Sequence, residues 1–315
     1  MIRTIGISLL VLSLCACTST KTKDAKFMEK VEVRAAEIVE SESFDIDAEF
    51  EKASISYFMG DFNKALLIYE NILNIADEDY ENYHHVILGY GDSALALASV
   101  SGLHRVKAET AYKTLTQFEY LSDELSNKTL AGQVLLEIAS GNSDDIEVRL
   151  NEALELNLHD PRLWNALGRF HDGAEDWVLA TETYVKAMEA AGEVGYTIAP
   201  IVNNMGMSYL MRGKARDALK KFEQALALNA DITIYDNNRR LALVLTGRTH
   251  MAVDGLTDKR AAQIYNDAGF VLAGRGQRRK ARSYYKKAIE LSPVYFEKAE
   301  LNLLALANDT EQAGT

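Results

Sequence analysis

Cysteine is nearly absent from this chain of 315 residues: only Cys15 and Cys17 occur, both close to the amino terminus. Such a chain offers its body no internal disulfide and no thiolate for a metal or for covalent catalysis. Proline is scarce as well, with Pro161, Pro200 and Pro293 the three present, so helices meet few breakers. Long apolar runs are missing: the stretch from Ile5 to Leu14 falls well below the roughly 20 residues a bilayer-spanning helix needs. Basic charge is in the minority, 34 residues against 46 acidic ones, for a net charge of −12. A surface of that sign repels phosphate backbones and anionic head groups, so no nucleic acid is expected as partner. Abundant Ala, Leu, Glu and Lys, with few aromatics beyond tyrosine, predict an all-α fold.

The first residues carry an address. A basic start at Arg3, the apolar stretch Ile5 to Leu14 and a small residue at Ala16 read as a secretory signal, residues 1–16. Leu14-Cys15-Ala16-Cys17 resembles the bacterial lipobox, with Leu14 at its aliphatic place, Ala16 at its small place and Cys17 as the lipidated residue. The alternative is an ordinary signal with a leftover cysteine. Lipidation of Cys17 makes the chain membrane-anchored rather than membrane-spanning, since each buried methylene adds roughly 0.8 kcal/mol. Loss of Arg3 with the signal leaves 46 acidic and 33 basic residues, net −13. Thr18 follows the cysteine, and by resemblance to lipoprotein sorting in two-membrane bacteria a residue other than Asp there favours the outer membrane, facing the periplasm. Residues 17–45 are polar and charged and read as a tether reaching about 30 Å if flexible.

A repeat organises the rest. Counting Pro161 as position 1, Trp164, Leu167, Gly168, His171, Ala180, Tyr184 and Ala187 fall at positions 4, 7, 8, 11, 20, 24 and 27. From Ala199 the same places hold Val202, Met205, Gly206, Tyr209, Ala218, Phe222 and Ala225. From Ala262 they hold Tyr265, Ala268, Gly269, Leu272, Ala281, Tyr285 and Ala288, with Pro293 at position 32. This is the 34-residue tetratricopeptide (TPR) pattern, with His171 replacing the usual Tyr. Two helices cross closely only where positions 8 and 20 are small, and larger residues fill the space around them. Weaker copies start at Ile46, at about Gly89 and at about Asn127; the unit from Thr233 keeps Gly247 and Ala252 but has Arg240 at position 8. The fold class read here is an all-α, right-handed superhelical TPR solenoid of antiparallel helix pairs. The array covers 46–308, its clearest repeats being 161–194, 199–232 and 262–295. A capping helix over Val294 to Leu306 closes it, and 309–315 form a tail.

In such arrays positions 2, 5, 9 and 12 of each first helix face the concave side. Position 5 is Asn165, Asn203, Asn237 and Asn266, and an amide offers a donor and an acceptor to an extended peptide backbone. Beside them stand Met207, Leu210, Leu241, Val244 and Phe270. One reading has the Asn row grip a peptide while Met207, Leu210 and Phe270 take its apolar side chains. The other has the amides bridge neighbouring repeats and the apolar residues pack between helices.

Chemistry has no foothold in the sequence. There is no Gly-x-Ser-x-Gly, no His-Glu-x-x-His and no phosphate-cradling glycine loop. His84 and His85 diverge by about 100° on a helix, poor geometry for one metal. An enzyme, a cofactor and a metal site are therefore not expected.

The stretch Asn203-Asn204-Met205-Gly206-Met207-Ser208-Tyr209-Leu210, and again Asn238 with Leu241-Ala242-Leu243-Val244-Leu245 and Gly247-Arg248, resembles the TadD family. These are TPR lipoproteins of the tight-adherence (Flp) pilus locus. The resemblance implies an accessory, pilotin-like role in pilus assembly, with a secretin or other assembly component as protein partner. The alternative is a periplasmic TPR scaffold for cell-wall enzymes or outer-membrane protein assembly.

Overall fold

A computed structural model describes residues 44–99, 101–141, 145–292 and 297–312. The signal, Cys17, nearly all of the tether, Pro293 and the start of the expected capping helix lie outside these residues. The described chain from Ile46 onward is one compact unit built of helices. They are α1 (Ile46–Phe58), α2 (Phe62–Leu73), α3 (Tyr83–Ala96), α4 (Gly102–Leu115), α5 (Asp123–Ala139), α6 (Ile146–Leu156), α7 (Pro161–Gly173) and α8 (Trp177–Val194). There follow α9 (Ala199–Met211), α10 (Ala215–Leu228), α11 (Thr233–Leu245), α12 (Thr249–Val253), α13 (Asp258–Gly274), α14 (Arg278–Leu291) and α15 (Glu297–Gln312).

Local chemistry sets many of the helix starts. Asp160 accepts a hydrogen bond from the Arg162 amide while Pro161 takes the first turn of α7, where its missing N–H costs nothing. Ser122, Asp176 and Thr257 cap α5, α8 and α13 in the same manner. Between the helices of a pair the chain reverses through a left-handed residue at position 15, as at Gly213 and Gly276, with φ of +80° and +69°. In the pair starting at Pro161 that position is Glu175, which adopts φ 59° without the freedom of glycine.

The pairs share one packing device. A Cβ placed on Gly168, Gly206 or Gly269 would lie 2.8, 2.5 and 2.5 Å from a ring carbon of Tyr184, Phe222 and Tyr285 respectively. Each glycine of the first helix thus receives the position-24 aromatic of the second. The small partners Ala180, Ala218 and Ala281 are fully buried beside them. Similar surroundings at three places far apart in sequence are what a repeat requires.

The pair starting at Ile46 keeps the expected register, with Gly60 in the left-handed turn at φ +85°, but the next pair departs from it. The copy read from about Gly89 has its first helix begin earlier, at Tyr83. Gly91, not Ala96, makes the close approach: a Cβ there would lie 2.9 Å from Ala111 Cβ and 3.1 Å from Tyr112. Five residues separate α3 from α4, against three between α9 and α10. At the other end α15 runs to Gln312, beyond the expected boundary at Leu306.

Arg240 explains the irregular pair. It stands at position 8, where the three clearest pairs have Gly168, Gly206 and Gly269. It donates to the Ala252 and Asp254 carbonyls at 2.9 and 3.0 Å, and to Asp236 at 2.7 Å. The second helix, α12, is only five residues long, and Arg240 binds its final carbonyls.

A group of contacts falls outside nearest-neighbour stacking. The turn after α1 reaches the seams on either side of α9: the Thr197 amide donates to the Phe58 carbonyl at 2.8 Å, and Asn229 Nδ2 donates to the Gly60 carbonyl at 3.2 Å. Tyr196 packs among Tyr57, Phe58 and Phe62. Arg162 at the head of α7 pairs with Asp92 of α3 and Asp160, each at 2.7 Å, and donates to Tyr57 Oη at 3.1 Å.

Candidate protein-interaction surface

The first helices of successive pairs, α7, α9, α11, α13 and α15, bring the candidate residues together in a row. Asn204 Nδ2 donates to Asn165 Oδ1 at 3.0 Å, Asn203 Nδ2 to Asn204 Oδ1 at 3.4 Å, and Asn238 Nδ2 to Asn203 Oδ1 at 2.8 Å. Four amides on three helices therefore form one directional chain, in which each hydrogen bond polarises the next. Farther along, Arg260 donates to Asn237 Oδ1 at 3.0 Å and Asn302 donates to Asn266 Oδ1 at 2.9 Å.

This arrangement corrects part of the expected binding site. Asn203 and Asn266 are buried and already spend their carbonyl oxygens on a neighbouring helix, so they are ties between repeats. Leu210 is fully buried, and Leu241 and Val244 are nearly so, because adjacent helices close over them. None of the three presents a side chain to an incoming peptide. Asn165 and Asn237 are partly exposed, and Met207 is half-buried. Phe270 is 66% exposed, far more than an aromatic side chain in a packed helix pair. Of the seven candidates, Met207 and Phe270 are the apolar ones a partner can reach.

Two polar networks missed in the sequence tie α7 of this row to its neighbours. Asp172, buried at position 12 of α7, accepts from Tyr184 Oη at 2.8 Å and from Ser208 Oγ at 2.6 Å. Arg212 donates to Ser208 and lies over the Tyr209 ring, 4.7 Å from its centroid. Burial, with Asp172 adding to it, pushes the Tyr184 hydroxyl far above the ordinary phenol range, so it stays a donor. The second network is Asp92–Arg162–Asp160. Burial pushes the Asp92 carboxyl above the usual carboxylate range, against the pull of Arg162 and the Tyr112 hydroxyl. Burial works against the Arg162 charge, and Asp160 and Asp92 more than offset it. The sequence did hold one signal: Gly168 and Gly206 are 38 residues apart instead of 34, and the extra residues include Tyr196 and Thr197.

Residues 262–295 match the tetratricopeptide repeat family. The described helices form a tetratricopeptide-repeat solenoid. No curated protein matches the chain. Among solved structures, a chain of the APC/C hetero-tetramer Cut9-Hcn1 is 15% identical, with a TM-score of 0.49 over 90% of this chain and 54% of that one. The present chain thus spans about half the length of that neighbour. YrrB, described as a TPR protein with an unusual peptide-binding site, is 20% identical over 56% of this chain and 90% of its own, TM-score 0.36. PilF of Pseudomonas aeruginosa is 15% identical over 73% of this chain and 98% of its own, TM-score 0.43. Tetratricopeptide arrays serve as scaffolds for protein contacts, and the repeats here present the same kind of surface.

Proposed function

We propose that this chain is a lipid-anchored protein-binding scaffold of the outer membrane, facing the periplasm, which acts in assembly of a tight-adherence pilus. The supporting observation is the exposure of Phe270 and the partial exposure of Met207 on a row of helices braced by interlocked amides. A rigid row with accessible apolar residues loses little entropy on gripping an extended segment. Lipidation of Cys17 adds effective concentration, because a tethered array meets membrane-bound partners far more often than a free one. The secretin, or another component of the pilus machinery, is the partner this reading names, on the resemblance of residues 199–248 to TadD lipoproteins.

A photo-crosslinking residue at Phe270 in intact cells, followed by identification of the adduct, tests the reading. A secretin or pilus component supports it; wall hydrolases or outer-membrane assembly proteins replace it with the alternative scaffold role. Replacing Cys17 by Ser should move the protein from the membrane fraction to the soluble fraction.

A further inference from the structure

The net charge of −12 conceals a division along the chain. Residues 44–160 hold 22 acidic and seven basic side chains, net −15, whereas residues 161–315 hold 18 acidic and 21 basic, net +3. Within the second part, no acidic residue occurs between Asp267 and Glu290, a stretch containing Arg275, Arg278, Arg279, Lys280, Arg282, Lys286 and Lys287. Most of these lie on α14. Its inner face is Ala281, Tyr285 and Ala288, all buried. Arg279, Lys280, Arg282, Lys286 and Lys287 are on the solvent side and exposed. Among the described residues none of these five forms an ion pair; Lys287 rests over the Tyr265 ring at 4.5 Å. From residue 279 to 287 the helix rises about 12 Å, which concentrates five positive charges within roughly one Debye length.

We propose that the outer face of α14 is an electrostatic docking surface for an anionic phospholipid membrane. Protein interfaces have cores that exclude lysine and seat apolar or aromatic anchors. No large exposed apolar residue lies on α14. Single-stranded nucleic acid takes aromatic stacking platforms, and Tyr284 and Tyr285 are turned inward. A membrane surface needs neither feature: each Lys or Arg held near anionic lipid strengthens binding roughly fivefold on its own. Positive charge gathered on the exposed face of α14 lets a chain of negative net charge meet a negative surface through this face first. Choosing lipid over nucleic acid rests on the proposed membrane tether, but binding to vesicles can be measured without the lipid on Cys17.

The chain from Thr18 to Thr315 keeps every helix described and lacks the apolar start. It should co-sediment with phosphatidylcholine vesicles containing phosphatidylglycerol and not with pure phosphatidylcholine vesicles, with binding that falls steeply as salt rises. The triple exchange Arg279→Gln, Arg282→Gln and Lys286→Gln should weaken binding roughly a hundredfold with no change in melting temperature. The single exchange Arg282→Glu should shift it in the same direction. Exchange of Lys52, Lys64 and Lys113 to Gln, in the acidic part, should leave it intact. Equal binding to both vesicle types, or an equal loss in the Lys52, Lys64 and Lys113 variant, overturns the proposal. Capture of single-stranded RNA through α14 without vesicle binding overturns it in favour of nucleic acid. Failure of the Phe270 crosslink or of Cys17-dependent anchoring leaves this vesicle result standing, so the two readings fail separately.

Discussion

Arg162 Nη1 lies 2.7 Å from Asp92 Oδ1, and the two side chains are only 16% and 10% exposed. The pair joins the head of α7 to α3 and fixes where the amino-terminal pairs end against the later ones. Removing one member leaves the other charged and desolvated, which is worse than never having had the pair. Arg162→Met should therefore cost about 3 kcal/mol or more in urea unfolding. Asp92→Asn should cost less, since the amide oxygen still accepts from Tyr112 Oη, now 2.7 Å from the carboxylate. Equal stability of wild type and Arg162→Met would show that the buried pair contributes nothing.

The amide ladder makes a prediction opposite to that of a binding row. Asn203→Ala removes the acceptor of Asn238 and the donor to Asn204, leaving the buried Asn238 amide without its partner. A loss of roughly 1–3 kcal/mol is expected, with a lower melting temperature. Partner capture at a temperature where the variant is folded should not change. Undiminished stability with weakened capture would return Asn203 to the binding surface.

Glu175 occupies the left-handed position that glycine takes in five other turns of the array. It is exposed and holds no side-chain partner among the described residues, so its charge is dispensable. Glu175→Gly should raise stability by about 0.5–1 kcal/mol, the relief of strain exceeding the added freedom of the unfolded chain. Thermal unfolding measures it, and a lower melting temperature would contradict the strain.

Asp236 carries the pH dependence of the irregular pair. Burial alone would raise its carboxyl, but hydrogen bonds from Arg240 and Arg239 outweigh burial and hold it below the usual carboxylate range. A depressed carboxylate contributes stability that is present above its unfolded-state value and disappears as pH falls through the folded one. Asp236→Asn should thus cost up to about 1 kcal/mol at neutral pH, and the gap to wild type should close in acid below the ordinary carboxylate range. A gap independent of pH would place the cost in packing instead.

Recurrence made the repeats legible. The triplets Gly168–Ala180–Tyr184, Gly206–Ala218–Phe222 and Gly269–Ala281–Tyr285 sit at the same spacing because each pair solves the same local crossing problem. Arg240 at position 8 announced the exception, and its bonds to the end of α12 show its cause. The register near Gly89 was illegible because Ala96 and Gly91 are both small, and only the neighbouring Tyr112 distinguishes them.

The residues by themselves determined that this protein is a series of α-helical pairs and where most pairs turn, since helix periodicity, small crossing residues and left-handed turns act over a few tens of residues. Tertiary structure alone decided which polar and apolar groups on the inner row face each other and which face water. Asn203 and Phe270 look equally available along the chain; one is enclosed by Asn204 and Asn238 and the other is not. Burial is set by what the adjoining helices bring, and so is the meeting of Arg162 with Asp92. No pattern confined to one helix can carry that information.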